Sequence, residues 1–369
     1  MTASARGPAV RLREAQFQDY AAIAALEEAG GLKSRSRENW QRLWQANPTY
    51  RQLGGGWPIG WVLETSGGHI AGALGNVPLT YEFGGRKLLV AAGRAWTVEE
   101  AYRSYALLLM DRYFDQPRVD VFLNTTVNAK AAEAFGVFGS RPVPAGDWGM
   151  AAFLITRHAG FVESALRIKG LPLPKILGYP LGLALWARDR TRSAPHSALG
   201  IEIEVVKGFD RRFDEFWEQL RAAGSTFLGV RDSETLNWHF GGDGERLWVL
   251  TASLAGALRA YAVFQRKDEA RYGLKRLRLV DYQALDSQRD WGTAILDRAV
   301  AECRARGVHS LEQVGTGLEK TSWFDRRAPY RRKLPHWSSY YFVRDAGLAD
   351  QLSRPEAWAP SSFDGDASL

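Results

Sequence analysis

One order of predicted elements occurs twice along the chain, and this repeat constrains the fold more than any other feature. Over residues 10–156, apolar periodicity predicts a strand, two helices, three strands joined by tight turns, a helix, a strand, a helix and a closing strand. A closely similar order returns over residues 201–343. Matching landmarks accompany it, because Asn39-Trp40 corresponds to Asn237-Trp238 and Arg103 to Arg289. We therefore predict a duplicated α/β domain.

The predicted domain boundaries follow from this repeat. We expect an N-terminal domain at 8–158, a linker at 159–198 and a C-terminal domain at 199–345. The linker contains prolines, glycines and a basic string at 188–192. The remaining residues, 346–369, are rich in Asp, Ser, Ala and Pro, and we expect them to form a flexible tail.

The composition limits the classes of function. The chain of 369 residues has 46% hydrophobic residues and a net charge of +7, which suits two folded domains and an anionic partner. Its one cysteine, Cys303, excludes an internal disulfide framework and fits a reducing, cytoplasmic location. The six histidines are scattered, so no metal site is predicted. Neither a Gly-x-Ser-x-Gly elbow nor a Walker-type Gly-Lys-Ser/Thr sequence occurs, which argues against hydrolases and P-loop enzymes.

An apolar stretch at 171–187 lies inside the predicted linker. Prolines, Lys175 and Gly178 interrupt it, so it does not predict a clean membrane-spanning helix. Because three arginines follow by residue 192, the segment 171–192 has two interpretations, a peripheral membrane contact or an interdomain strap. Its prolines favour the strap.

A glycine-containing turn joins a predicted strand at 277–282 to a predicted helix that extends through Cys303. Its residues are Arg289-Asp290-Trp291-Gly292-Thr293-Ala294. The free N–H groups and the positive dipole end of a helix start suit a phosphate group. Gly292 permits close backbone approach, and Ala294 keeps the first turn slim.

The order of elements, with a turn of the form Arg/Gln-x-x-Gly-x-Gly/Ala, resembles the GNAT superfamily of acyl-CoA N-acyltransferases in both halves. The resemblance implies two tandem GNAT-like domains of the α/β class, each a mixed, mostly antiparallel twisted sheet flanked by helices. It also implies that the turn amides hold the pyrophosphate of acetyl-CoA or another acyl-CoA. The pantetheine arm would lie between the fourth and fifth strands, and an amine would attack the thioester directly.

The two copies match the family's turn unequally. The second copy has Arg289, Gly292 and Ala294 at the patterned positions, so we expect it to bind the cofactor through residues 289–294. The first copy reads Arg103-Ser104-Tyr105-Ala106-Leu107-Leu108, where larger side chains should crowd a pyrophosphate. Family members often carry a tyrosine near Phe135 as the acid for the thiolate, and phenylalanine cannot act as one. We therefore expect the first copy to be a degenerate domain with a mainly structural or substrate-shaping role, and cofactor binding through Arg103 stays open.

The candidate acid–base residues lie in the second copy. Asp281 is on the strand that leads into the turn, near where the family places a carboxylate, and is the candidate general base. Tyr282, Tyr330 and His309 are candidates for the acid. The arginines around Tyr330 should lower its pKa.

The leading hypothesis is transfer of an acyl group, acetyl by preference, to a primary amine of a small molecule or sugar. One alternative is a Fem-like aminoacyl transferase, which uses aminoacyl-tRNA. Because the Arg289 turn favours a pyrophosphate-containing cofactor over tRNA, no nucleic-acid partner is expected. Another alternative is a non-catalytic scaffold that binds acyl-CoA or a protein. Homodimerisation stays open.

Overall fold

The computed structural model of the chain describes residues 9–190, 200–224, 226–286, 289–334 and 338–369. Its strands are β1 (Val10–Glu14), β2 (Gly60–Thr65), β3 (Ile70–Phe83), β4 (Arg86–Val98), β5 (Val121–Val127), β6 (Arg141–Pro142), β7 (Asp147–Ile155), β8 (Glu202–Val206), β9 (Leu228–Gly229), β10 (Leu247–Leu254), β11 (Ala257–Arg266), β12 (Arg276–Ala284), β13 (Ser310–Thr316), β14 (Tyr330–Lys333) and β15 (Ser338–Val343). Its α-helices are α1 (Tyr20–Ala29), α2 (Arg37–Gln45), α3 (Pro48–Gln52), α4 (Ala106–Phe114), α5 (Ala129–Val137), α6 (His158–Ile168), α7 (Pro174–Arg190), α8 (Arg211–Ala223), α9 (Ser233–Phe240), α10 (Trp291–Ala305), α11 (Ser322–Arg327) and α12 (Ala346–Leu352).

The strands form two mixed sheets, one for each half of the chain. The first sheet has the order β1-β2-β3-β4-β5-β15-β6, with β9 paired to β3, and the second has the order β14-β7-β13-β12-β11-β10-β8. Only β4–β5 and β12–β13 are parallel neighbours within these described sheets. The predicted fold class, two mixed and mostly antiparallel sheets flanked by helices, is confirmed.

The two sheets exchange strands: besides the short β9, which pairs with β3, each sheet contains one strand from the other half of the chain. Strand β7, from the first half, lies between β13 and β14 of the second sheet, with Ala152 opposite Gln313. Strand β15, from the second half, lies between β5 and β6 of the first sheet, with Tyr341 opposite Leu123. Each half therefore contributes a strand to the hydrogen-bond ladder of the other, and the sheets do not coincide with the predicted ranges 8–158 and 199–345.

The landmark helices of the two copies contact each other. Helices α2 and α9 carry the repeated Asn-Trp pairs. Trp238 Nε1 donates to the carbonyl oxygen of Arg42 at 3.0 Å, and Arg42 Nη2 donates to the carbonyl oxygen of Asn237 at 2.7 Å. Corresponding helices of the two copies therefore meet at the junction of the halves.

The predicted linker and tail both differ from expectation. The linker range 159–198 contains most of α6 and all of α7, and α7 includes Pro180. Within the described ranges, every helix is too short or too polar to cross a membrane. The tail, expected to be flexible, contains α12 and buries Trp358 and Phe363, because Trp358 joins the hydrophobic cluster of the first sheet and Phe363 joins a cluster of the second half.

Candidate functional site

The second-copy turn at 289–294 supplies its own cap. Helix α10 begins at Trp291, and Asp290 accepts hydrogen bonds from Thr293 N at 3.1 Å and Thr293 Oγ1 at 2.7 Å. A carboxylate thus already occupies the amide end of the helix, where it satisfies the dipole and would repel a phosphate. This geometry argues against pyrophosphate binding by the turn.

Gly292 is small because it packs against an indole ring. A Cβ atom at Gly292 would lie 2.3 Å from the Nε1 and Cε2 atoms of Trp323. Trp291, Thr293 and Ala294 are also buried, whereas Arg289 and Asp290 are exposed. Trp323 therefore covers the glycine that was expected to approach the cofactor.

Asp281 lies in a buried ion pair. Arg231 Nε donates to Oδ2 of Asp281 at 2.8 Å and Nη2 donates to Oδ1 at 3.2 Å, with both side chains 0% exposed. Tyr261 and Ser361 also donate to this carboxylate. Burial alone would raise the pKa of Asp281, but the charge and hydrogen bonds of Arg231 lower it to about 2. A carboxylate that is so fully paired is a poor proton acceptor, so this environment argues against Asp281 as the base.

The three candidate acids are not brought together with Asp281 by any hydrogen bond among the described residues. Tyr282 packs edge-on against Trp323, and burial raises its pKa above its ordinary value. Tyr330 donates to Asp189 at 2.7 Å; burial and that carboxylate raise its pKa to about 12, opposite to the predicted direction. Burial and neighbouring cations lower the pKa of His309, which lies beside α6.

The corresponding turn of the first copy is open to solvent. A 3₁₀ helix at Glu100–Tyr105 leads into α4, and no side chain caps the start of either helix. Arg103, the residue expected to contact cofactor, is 67% exposed and forms an ion pair with Glu100 at 3.4 Å. No carboxylate occupies this helix start, in contrast to α10, although the amides of Tyr102 and Ala106 donate to the carbonyl oxygens of Glu99 and Arg103.

Strands β4 and β5 separate next to this turn. Their parallel pairing ends at Ala92 and Leu123, while β4 continues to Val98 along β3. One extra residue in β4 makes a bulge, where Ala95 has φ 52°. The parting strands expose backbone groups along the inner edge of β4.

Two buried polar groups near this separation have no hydrogen-bond partner among the described residues. They are Nδ2 of Asn124, which follows the last paired residue of β5, and Nε1 of Trp96 in the bulge. Buried donors without a partner are costly in folded proteins, so acceptor groups placed here would be favourable. These groups fit a polar chain that enters between β4 and β5.

The equivalent separation in the second sheet is filled by protein. Strands β12 and β13 part after Leu279 and Gln313. Gln313 Nε2 donates at 2.7 Å both to the carbonyl oxygen of Gly315 and to Thr321 Oγ1. The ion pair of Asp281 occupies the β12 side. Gln313 Oε1 has no partner among the described residues, so an unpartnered polar atom occurs at both separations; the copies differ in the side chains that fill the second one.

The packed tail brings a further carboxyl group to the first-copy site. Thr125, next to Asn124 on β5, donates to Asp366 Oδ1 at 2.7 Å. Burial raises the pKa of Asp366 to about 6, against the lowering effects of Thr125 and Arg94. Asp366 remains partly exposed, so an acceptor can reach it. No sequence motif identified this residue; the apolar rings at 358 and 363 were the available signal that the tail packs.

Structural comparison identifies similar folds. A GCN5-related N-acetyltransferase from Kribbella flavida has a TM-score of 0.58 and 11% identity, covering 94% of this chain and 74% of the other. A GCN5-related N-acetyltransferase from Anabaena variabilis has a TM-score of 0.56 and 12% identity, covering 91% and 73%. N-myristoyltransferase from Saccharomyces cerevisiae with bound myristoyl-CoA has a TM-score of 0.53 and 10% identity, covering 93% and 82%.

At the level of sequence, no family model and no curated protein matches the chain. The likeness is therefore one of fold, and it extends over more than nine-tenths of the chain in each of these comparisons. The chain has the fold of the GCN5-related N-acetyltransferases, built twice in tandem with one strand exchanged between the copies.

Proposed function

We propose that the chain is an acyl-CoA-dependent N-acyltransferase whose first half binds the acyl-CoA. The observation that carries this proposal is the contrast between the two copies. In the first, β4 and β5 part beside an uncapped, exposed helix start, whereas in the second the same places are occupied by Asp290, Trp323 and the Asp281 ion pair.

The proposed cofactor contacts follow from the exposed groups of the first copy. The exposed guanidinium of Arg103 would hold the pyrophosphate at the start of the 3₁₀ helix Glu100–Tyr105, which has no side-chain cap. The inner edge of β4 at 93–98 would bind the pantetheine arm through backbone hydrogen bonds. Asn124 Nδ2 and Trp96 Nε1 would then have acceptors. The bound acyl-CoA would supply an activated thioester at this separation.

We propose Asp366 as the general base. An amine acceptor must lose a proton as its nitrogen becomes acylated, and a partly exposed carboxyl with a pKa of about 6 is ionised at neutral pH while remaining basic enough to accept it. Thr125 orients the carboxyl by its hydrogen bond. Through Thr125, Asp366 lies beside the β4–β5 separation. The tail therefore does not have to move for Asp366 to accept a proton there.

Acetyl is the proposed acyl group and a small-molecule or sugar amine is the proposed acceptor. The yeast neighbour was solved with a fourteen-carbon donor, myristoyl-CoA, so donor length is a property to measure. Acetyl-CoA and myristoyl-CoA therefore both belong in the first binding experiment.

The test is calorimetric binding of each acyl-CoA to the full chain and to two matched variants. Arg103→Glu changes the proposed pyrophosphate contact, and Arg289→Glu makes the same change at the corresponding turn of the second copy. We expect Arg103→Glu to weaken binding by about tenfold, as loss of one charge-assisted hydrogen bond would. Arg289→Glu should leave binding unchanged.

Each outcome has a definite meaning. Weakening by Arg289→Glu alone would assign the cofactor to the second copy. An absence of binding by either donor would overturn the acyltransferase proposal. Binding without turnover over a panel of amines would favour the non-catalytic scaffold, which Phe135 in place of a tyrosine already makes the second candidate.

A further inference from the structure

The hairpin of α6 and α7 presents an apolar surface to solvent. Of the thirteen large hydrophobic side chains that are strongly exposed among the described residues, nine lie in this region. They are Ile168, Leu171, Leu173, Ile176, Leu177, Tyr179, Leu181, Leu183 and Trp186. A continuous exposed patch of this kind marks an interaction site rather than ordinary scatter of apolar residues.

Glycines explain why α7 keeps so much of its surface outside the core. A Cβ atom at Gly182 would lie 2.7 Å from the backbone of Ala159, and one at Gly178 would lie 3.1 Å from Glu163 Cβ. These two glycines are the buried residues of α7. Helix α7 therefore packs closely on α6 through a narrow seam and presents its leucines and aromatic rings outward.

A basic cavity of about 630 Å³ opens beside this surface. Tyr179, Leu183 and Trp186 of α7 line one side. The other side is lined by cationic or titratable side chains, namely Arg157, His158, Lys275, Arg304 and His309. No carboxylate side chain is among the described residues that line this cavity. The nearby carboxylate of Asp189 is paired with His158 at 2.9 Å and with Tyr330. The cavity is therefore complementary to an anionic group.

We propose that this hairpin is a peripheral membrane-binding surface that recognises anionic phospholipid. Helix α7 would lie in the plane of the interface with its apolar face among the acyl chains, and the basic cavity would receive a phosphate-bearing headgroup. Lys169 and Lys175 near one end, and Arg188 and Arg190 at the other, would contact further headgroups. The proposed interface comprises residues 168–190; the sequence-based prediction extended to 192, and residues 191 and 192 lie outside the described residues.

The geometry favours a bilayer over a second copy of the chain. A symmetric contact between two copies would use the same surface on both. Such a contact would bring the two basic cavities towards each other, and the described residues of the cavity linings contain no carboxylate that would offset the repulsion between their positive charges. The length of α7, about 26 Å at 1.5 Å per residue, also suits a helix that lies on a bilayer.

The test is flotation of the full chain with vesicles of phosphatidylcholine alone, and with vesicles in which about a third is replaced by phosphatidylglycerol. We expect binding to the anionic vesicles, and weaker binding at high salt. Leu183→Glu with Trp186→Glu should abolish binding. Lys275→Gln with Arg304→Gln should weaken anionic binding about 25-fold, at roughly fivefold for each cation.

Matched controls separate this surface from general charge and hydrophobicity. Val137→Glu changes a strongly exposed apolar residue on α5, and Arg211→Gln with Arg354→Gln removes two exposed cations outside the hairpin. Both should bind vesicles as the unchanged chain does. Circular dichroism of all variants checks that they are folded.

Three results would overturn the proposal. They are an absence of vesicle binding, binding that the Leu183 and Trp186 changes do not alter, and a lipid-free dimer in sedimentation analysis that the same changes dissociate. The last result would assign the surface to a second copy. Since acyl-CoA binding is measured without vesicles, failure of this proposal would leave the acyltransferase proposal unaffected.

Discussion

Replacing Asp281 with asparagine should destabilise the fold, because it leaves the Arg231 guanidinium buried without its main counter-charge. Both side chains are 0% exposed, and two hydrogen bonds join them. Removal of one partner from such a buried pair costs about 3–5 kcal/mol of unfolding free energy. Asp364 at 3.8 Å and the ring of Phe363 at 4.5 Å would compensate Arg231 in part, which places the expected loss near the lower end.

Urea unfolding of the full chain measures this loss. A second variant, Arg231→Met with Asp281→Leu, removes both members of the pair and should recover much of the stability, because Asp364, which loses Arg231, still accepts hydrogen bonds from Tyr81 and the Ser361 amide. Asparagine also has only one acceptor oxygen for the donors Tyr261 and Ser361, which adds to the loss.

The pH dependence provides an independent readout. In the folded chain the pKa of Asp281 is lowered from 3.8 to about 2, so its contribution is complete above pH 3.8 and is lost as the pH falls through 2. Asp281→Asn should remove this part of the acid unfolding profile. A variant with unchanged stability but strongly reduced turnover would refute the structural role and restore Asp281 as the base.

Three further predictions concern the turn, the base and the tail. Gly292→Ala should destabilise the fold by about 1–3 kcal/mol because its methyl group would clash with Trp323, and acyl-CoA affinity should be unchanged. The control Gly136→Ala, whose methyl group meets open space, should not destabilise the fold. Chemical denaturation measures both variants, and equal stabilities would contradict the prediction. If Asp366 is the base, turnover should fall as the pH drops below about 6, because the carboxylate becomes protonated. Asp366→Asn should lower turnover by about 100-fold. A pH–rate profile that is the same for the variant and the unchanged chain would exclude Asp366. Trp358→Ala should cost about 3–5 kcal/mol because the ring is buried, and limited proteolysis should then cleave the tail; a tail that is equally sensitive in both proteins would contradict its packing.

Local patterns predicted the elements well where a segment's own periodicity decides its structure. The strand predicted at 10–14 is β1, and the helix predicted after the Arg289 turn is α10. Cys303, which the sequence placed on that helix, is buried there. The segment at 171–192 was predicted less well, since prolines and glycines usually interrupt helices; here Pro180 is accommodated within α7, and Gly178 and Gly182 are needed for contact with α6.

The site was predicted at the level of the fold but assigned by sequence to the copy that the geometry disfavours. A glycine at the start of a helix has the same sequence signature whether a phosphate or a side chain approaches it. At Gly292 the approaching group is Trp323, thirty-one positions along the chain, so no local pattern reveals it. Conversely, Ala106 and Leu107 look unsuitable for phosphate in sequence, yet their helix start is open and uncapped.

The sequence by itself determined the order of strands and helices and their repetition, because periodicity and turn residues act over a few positions. Only the tertiary structure decided which strands pair, since β7 and β15 have the same local character in either sheet and their exchange depends on partners far along the chain. It also decided the electrostatics of the carboxyl groups. Asp281 is lowered in pKa by Arg231, fifty positions away, whereas Asp366 is raised because the tail buries it beside β5.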